Sequence, residues 1–81
     1  MTGRVLIVDD VPANRQLLAD LLRRQGYDLE TAATGDEALA AVERNPPDVI
    51  LLDVVLPGIS GFDVCQQLKS DPATRLIPVV L

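Results

Sequence analysis

The sequence predicts an α/β fold on a parallel sheet, and three observations carry that expectation. Short aliphatic runs alternate along the 81 residues with helical periodicities; the main runs are apolar at consecutive positions; and glycine or proline stands at most junctions. A run apolar on both faces belongs inside a parallel sheet covered by helices, whereas a sheet with one wet face would alternate apolar and polar residues. Strands alternating with helices then imply right-handed crossovers between parallel neighbours.

The elements follow in order. Arg4–Val8 is a β-branched and aliphatic run that ends at Asp9 and Asp10, and reads as a strand buried on both faces. Pro12 suits the first turn of a helix, where a missing N–H is no loss. In that helix Leu17, Leu18, Leu21 and Leu22 are expected to form one core stripe, Arg23 and Arg24 to complement the negative end of the helix dipole, and Gly26 to stop it. Asp28–Ala33 is a more polar strand, expected at a sheet edge. Thr34 and Glu37 have the spacing of a capping box, opening a helix with Ala38, Leu39 and Val42 inward, and Asn45-Pro46-Pro47 ends it. Asp48–Val54 is the clearest strand, and its continuous apolar character points to the sheet centre. Gly58 and Gly61 mark a tight loop before a third helix lined by Phe62, Cys65 and Leu68, which Asp71-Pro72 breaks. Ile77–Leu81 is expected to begin a fourth strand.

Composition excludes several classes of function. With Phe62 and Tyr27 as the only rings, the core must be aliphatic. A net charge of −5 with scattered Lys and Arg argues against direct nucleic-acid binding, which needs a basic stripe, and against a polybasic membrane patch. Val49–Leu52 is far too short to span a bilayer, and the opening residues lack a signal-peptide layout. The lone Cys65 cannot form an internal disulfide, so a reducing cytoplasm is the expected location and a small apolar core residue its expected role. The absence of histidine removes histidine-based triads, histidine-containing zinc sites and any internal phosphohistidine.

What remains is acidic. Ligands of open α/β sheets bind outside the carboxyl ends of the strands. Asp9 and Asp10 stand at that end of the first strand and Asp53 at that end of the third, so if these strands are neighbours three carboxylates converge on one rim. Two unit charges about 4 Å apart repel by roughly 4 kcal/mol at a protein surface, so such a trio takes up protons or binds a cation. Oxygen-only ligands favour a hard cation, and Mg²⁺ fits best because it commonly takes one or two carboxylates and keeps several waters. Taken singly, each aspartate reads equally as a solvated charge or a helix cap.

At these residues the chain resembles the receiver domains of two-component signalling. Asp9-Asp10 ends the first strand as that family's pattern requires. Asp53, followed by Leu56-Pro57 and Gly61, matches its Asp-x-x-hydrophobic-Pro-x-x-x-Gly signature, and the resemblance covers all 81 residues. It implies a signalling module rather than an enzyme. Asp53 would be the phosphoacceptor and a metal ligand, Asp10 would bind Mg²⁺ directly, Asp9 would act largely through water, and the backbone carbonyl of Val55 would complete the set. Pro57 and Gly61 would shape the loop, and Asn14, at a position where the family varies, is a candidate for influencing phosphoryl lifetime. The partner would be a histidine kinase or a histidine phosphotransfer protein. The implied fold is flavodoxin-like, three-layered, with strand order 2-1-3-4.

One departure accompanies the match. The family also uses a Thr or Ser after its fourth strand and a Lys ending its fifth, and the chain stops at Leu81 before either. Residues 1–81 are therefore expected to be a single receiver truncated in its fourth strand, without the final strand and helices, and slow to be phosphorylated. A reading from another class follows from the same departure: a non-signalling fragment that self-associates, as a homodimer or domain-swapped dimer, through an exposed fourth strand and uncovered sheet surface. Other phosphate-handling folds fit poorly. The sequence has neither Gly-x-x-x-x-Gly-Lys-Ser/Thr nor Gly-x-Gly-x-x-Gly. A dehalogenase-type phosphatase separates its two acids by one residue, whereas Asp9 and Asp10 are adjacent.

Overall fold

The computed structural model describes residues 3–81, and in it four parallel strands form one sheet in the order β2-β1-β3-β4. The elements are β1 (Arg4–Val8), α1 (Pro12–Arg24), β2 (Asp28–Ala32), α2 (Gly35–Arg44), β3 (Val49–Leu52), α3 (Gly61–Ser70) and β4 (Val79–Val80). The expected order and the polar edge strand are both observed.

Residue parity along the strands sorts the core into two layers. Val5 and Ile7 face one side, where Ala19, Leu18 and Leu22 of α1 pack against them. Leu6, Val8, Ile50 and Leu52 face the other, against Ala38, Ala41 and Val42 of α2 and Val64 and Leu68 of α3. The result is a three-layer sandwich, and its layers are unequal. Eleven buried residues make up the α2/α3 side and three the α1 side. No aromatic ring is among the buried residues, as the composition requires.

Several helix faces differ from expectation. Leu17 and Leu21 are 60% and 49% exposed rather than core, because α1 turns the arc holding Leu18, Ala19 and Leu22 toward the sheet. Phe62 is 61% exposed; the buried stripe of α3 is Gly61, Val64 and Leu68, and Phe62 lies on nearly the opposite side of the helix from Val64. Cys65 is half-buried against the α2/α3 core, as a small apolar residue would be.

Caps and stops set the boundaries. Pro12 occupies the first turn of α1, and Gly26, at φ 90°, provides the left-handed residue that ends it. Thr34 Oγ1 accepts from Glu37 N at 3.1 Å, but the Glu37 carboxylate reaches Ala33 N, so the expected box closes one residue early. A reciprocal box is present at α3 instead, between Ser60 and Asp63. The fourth strand is only two residues long rather than spanning Ile77–Leu81. Pro78 has no N–H to donate, and Ile77 N turns back to Thr74 O.

Candidate functional site

Strand register builds the acidic rim. Val8 is paired with Leu52 across β1 and β3, and with Ala32 across β1 and β2. The ladder runs one step beyond the strands: Asp53 N donates to Val8 O at 2.9 Å, and Asp9 N donates to Ala32 O at 3.1 Å. The residues following an in-register parallel pair are themselves neighbours, so Asp9 and Asp53 emerge side by side. Parity places both on the same side of the sheet as Ile7 and Leu51. There they stand at the mouth of a cavity of about 400 Å³ lined by Ile7, Leu18, Leu51, Val80 and Leu81, with Asn14 at the same mouth.

Asp10 completes the cluster. One carboxylate oxygen from each of Asp9, Asp10 and Asp53 lies within 4.8 Å of the others. Asp9 and Asp53 are half-buried and Asp10 is exposed. Among the described residues no Lys or Arg pairs with any of the three; the ion pairs lie elsewhere, joining Arg4 to Asp28 and Glu30, Arg44 to Glu30 and Arg23 to Asp20. Three unpaired carboxylates at this separation repel one another by amounts on the order of kcal/mol. An oxygen-only donor set with no cationic neighbour matches what a hard divalent cation requires, and so fits Mg²⁺.

The hydrogen bonds distinguish the three acids. Asp53 Oδ1 accepts from Val55 N at 3.2 Å, while no protein donor among the described residues meets its Oδ2. Asp9 is held at both oxygens, by Val11 N at 2.9 Å and by Asn14 Nδ2 at 3.3 Å. Among the described residues Asp10 has no such partner, so its carboxylate is the freest of the three there. Val55 is 76% exposed and is linked to Asp53 through its N–H.

Gly61 lies directly beneath the rim. Its N–H donates to Val54 O at 2.9 Å, and a Cβ placed on it would collide with the Asp53 carbonyl oxygen and lie 2.8 Å from Val54 Cα. The sequence suggested only a shaped loop here; the structure shows the first turn of α3 pressed against the backbone that carries Asp53. The Arg15 guanidinium, which donates to the Asp9 carbonyl oxygen at 2.8 Å, gave no signal in the sequence beyond its position in the first turn of α1.

Comparisons with known proteins agree with this geometry. A family model described as the response regulator receiver domain matches residues 5–81. The response regulator PleD of Caulobacter vibrioides is 53% identical over the whole chain, which spans only 18% of that protein's length. The N-terminal domain of a response regulator receiver protein from Methanoculleus marisnigri superposes with a TM-score of 0.94 at 39% identity, covering 98% of this chain and 64% of that one. The receiver domain of a sensor histidine kinase from Pseudomonas aeruginosa, solved with a magnesium ion coordinated in its active-site cleft, superposes with a TM-score of 0.91 at 29% identity, covering 98% and 65% of the two chains.

Proposed function

The chain belongs to the response regulator receiver domain family, a module of two-component signalling, and from that premise we propose that Asp53 accepts a phosphoryl group from a partner's phosphohistidine at a site that also holds Mg²⁺. The observation that carries this reading is the convergence of Asp53 with Asp9 and Asp10 within 4.8 Å, with no cationic side chain among the described residues paired to them.

In the proposed step an Asp53 carboxylate oxygen forms the new O–P bond while the P–N bond to the donor imidazole breaks, and the electron pair stays on the imidazole nitrogen. Oδ2 is the natural nucleophile, because the Val55 N–H occupies Oδ1 and holds the carboxylate in one orientation. Asp9, Asp10, Asp53 and the Val55 carbonyl would hold Mg²⁺, which when bound neutralises the charge on the incoming phosphoryl oxygens. These 81 residues contain no histidine, so the donor lies outside them, on a histidine kinase or a histidine phosphotransfer protein.

The test is the intact mass of the 81-residue chain after incubation with acetyl phosphate and Mg²⁺, beside an Asp53→Asn control. A single phosphoryl adduct on the wild type, absent from the variant and from a sample with chelator, is the expected result. Equal labelling of both proteins would move the acceptor elsewhere.

A second reading, pairing with a copy of itself, is favoured by exposed apolar residues: Leu17, Leu21, Val80 and Leu81 are all about half exposed or more. The edge itself contributes little, since β4 is only two residues long and very short edge strands are poor templates. A surface of exposed leucines on α1 is the stronger basis. Light scattering across a concentration series should show a mass rising toward that of a dimer, and a constant monomer mass at high concentration would end this reading.

A further inference from the structure

Asp9 is held from three directions, and two of the holds come from consecutive residues in the first turn of α1. Its Oδ1 accepts the Val11 N–H at 2.9 Å, its Oδ2 accepts Asn14 Nδ2 at 3.3 Å, and its main-chain carbonyl accepts Arg15 Nη1 at 2.8 Å. Asp10, one residue on, is exposed and has no comparable hold among the described residues. Resting on the reading of the rim as a cation site, we propose that Asn14 and Arg15 are positioning residues, a clamp that fixes the Asp9 carboxylate before a cation arrives and so tunes the site toward Mg²⁺ over larger ions.

The chemistry of the two donors suits that task. Asn14 offers a neutral N–H, which orients the carboxylate without cancelling its charge. Each carboxylate oxygen carries two lone pairs, so one donor per oxygen leaves one pair on each for water or metal. Arg15 directs its charge at the main-chain carbonyl rather than at a carboxylate, so the peptide is pinned while the acids stay free of a competing cation. Pro12, at the start of the same turn, restricts the backbone between the two holds and the strand.

Selectivity separates positioning from mere support. Mg²⁺ demands near-ideal octahedral geometry with metal–oxygen distances of about 2.0–2.1 Å, whereas Ca²⁺ accepts irregular shells at about 2.3–2.6 Å. Loosening Asp9 should therefore penalise Mg²⁺ more than Ca²⁺. General destabilisation of the fold would weaken both equally.

The experiment is calorimetric titration of Mg²⁺ and of Ca²⁺ into the wild-type chain, Asn14→Leu and Arg15→Met, with the thermal midpoint of each recorded in chelator. Asn14→Leu keeps the side-chain branching and removes the donor. The expected result is a Mg²⁺ affinity lowered about tenfold in each variant, the usual scale for losing a group that orients a metal ligand, with a clearly smaller loss for Ca²⁺. Equal losses for the two ions, or none, would overturn the clamp while leaving the cation site in place. A wild-type chain that binds no Mg²⁺ would overturn the cation site and the clamp together. Arg15→Met keeps the question decidable should Asn14→Leu fail to fold.

Discussion

Gly61→Ala should both destabilise the fold and empty the acidic rim. Two effects oppose each other at this position. Alanine is the better helix former by at most about 1 kcal/mol, and Gly61 opens α3, so propensity alone predicts stabilisation. The added Cβ, however, would overlap the Asp53 carbonyl oxygen and press within 2.8 Å of Val54 Cα. Both obstacles are backbone and cannot rotate aside. Overpacking commonly costs about 1–3 kcal/mol, and a clash with main chain belongs at the upper end of that range, so sterics win. The displaced atoms carry Asp53, and Mg²⁺ affinity should fall along with the melting temperature. Gly3→Ala is a suitable control, since a Cβ there would meet the Tyr27 ring at an ordinary 3.4 Å and Asp48 Oδ2 at 3.9 Å. A Gly61→Ala protein with wild-type midpoint and wild-type Mg²⁺ binding would show that the close approach constrains nothing.

Ile50→Ala should bring the chain close to unfolding at ordinary temperatures. Ile50 has no exposed surface, lies in the central strand β3, and packs in the larger of the two cores. Truncating a buried isoleucine costs about 2–5 kcal/mol, through lost transfer energy and the cavity left behind. At about 0.05–0.15 kcal/mol per residue, a chain of this size holds only ~4–12 kcal/mol in total. Each kcal/mol is worth about 4–8 °C in a domain of this length, so the midpoint should fall by more than ~8 °C in a thermal melt. A change of a degree or two would mean that the α2/α3 layer does not depend on this side chain. The prediction concerns stability alone, because Ile50 points away from the rim.

Much of the fold was legible because strand burial writes itself into consecutive residues. Val5–Val8 and Val49–Leu52 are apolar at every position; all of the first run and Ile50 and Leu52 of the second are buried while Val49 and Leu51 are half-buried, and the aspartates that follow mark where the sheet meets water. The helix faces were less legible. The leucines at 17, 18, 21 and 22 span roughly 140° of circumference at about 100° per residue, wider than the arc α1 buries, and the sequence alone does not say which edge of that arc faces outward. Only Ala19, too small to draw attention, shows where the sheet lies. Phe62 misled for a related reason: its size suggested core, while Val64 met the geometry of i, i+3 and i+7 with Gly61 and Leu68. The Ser60–Asp63 box escaped notice because its third residue is Asp rather than the usual Glu or Gln. At the rim the acids could be placed from strand ends, but Asn14 and Arg15 could not. Their contacts depend on how α1 leans over the end of β1, which is a tertiary outcome.

The unequal layers have a dynamic consequence. Asp53 follows a strand that contributes Ile50 and Leu52 to the core of eleven buried residues, whereas Asp9 and Asp10 lead into a helix whose own buried residue is Ala19. Proteins open in units whose free energies follow the apolar contact each unit would give up. Of the two helix layers, α1 gives up the fewer fully buried residues and is expected to lift before the α2/α3 layer, taking Asn14 and Arg15 with it. The rim joins a stiff half to a compliant one, and fluctuations that disarm the site begin on the Asp9 side while the Asp53 backbone remains in place.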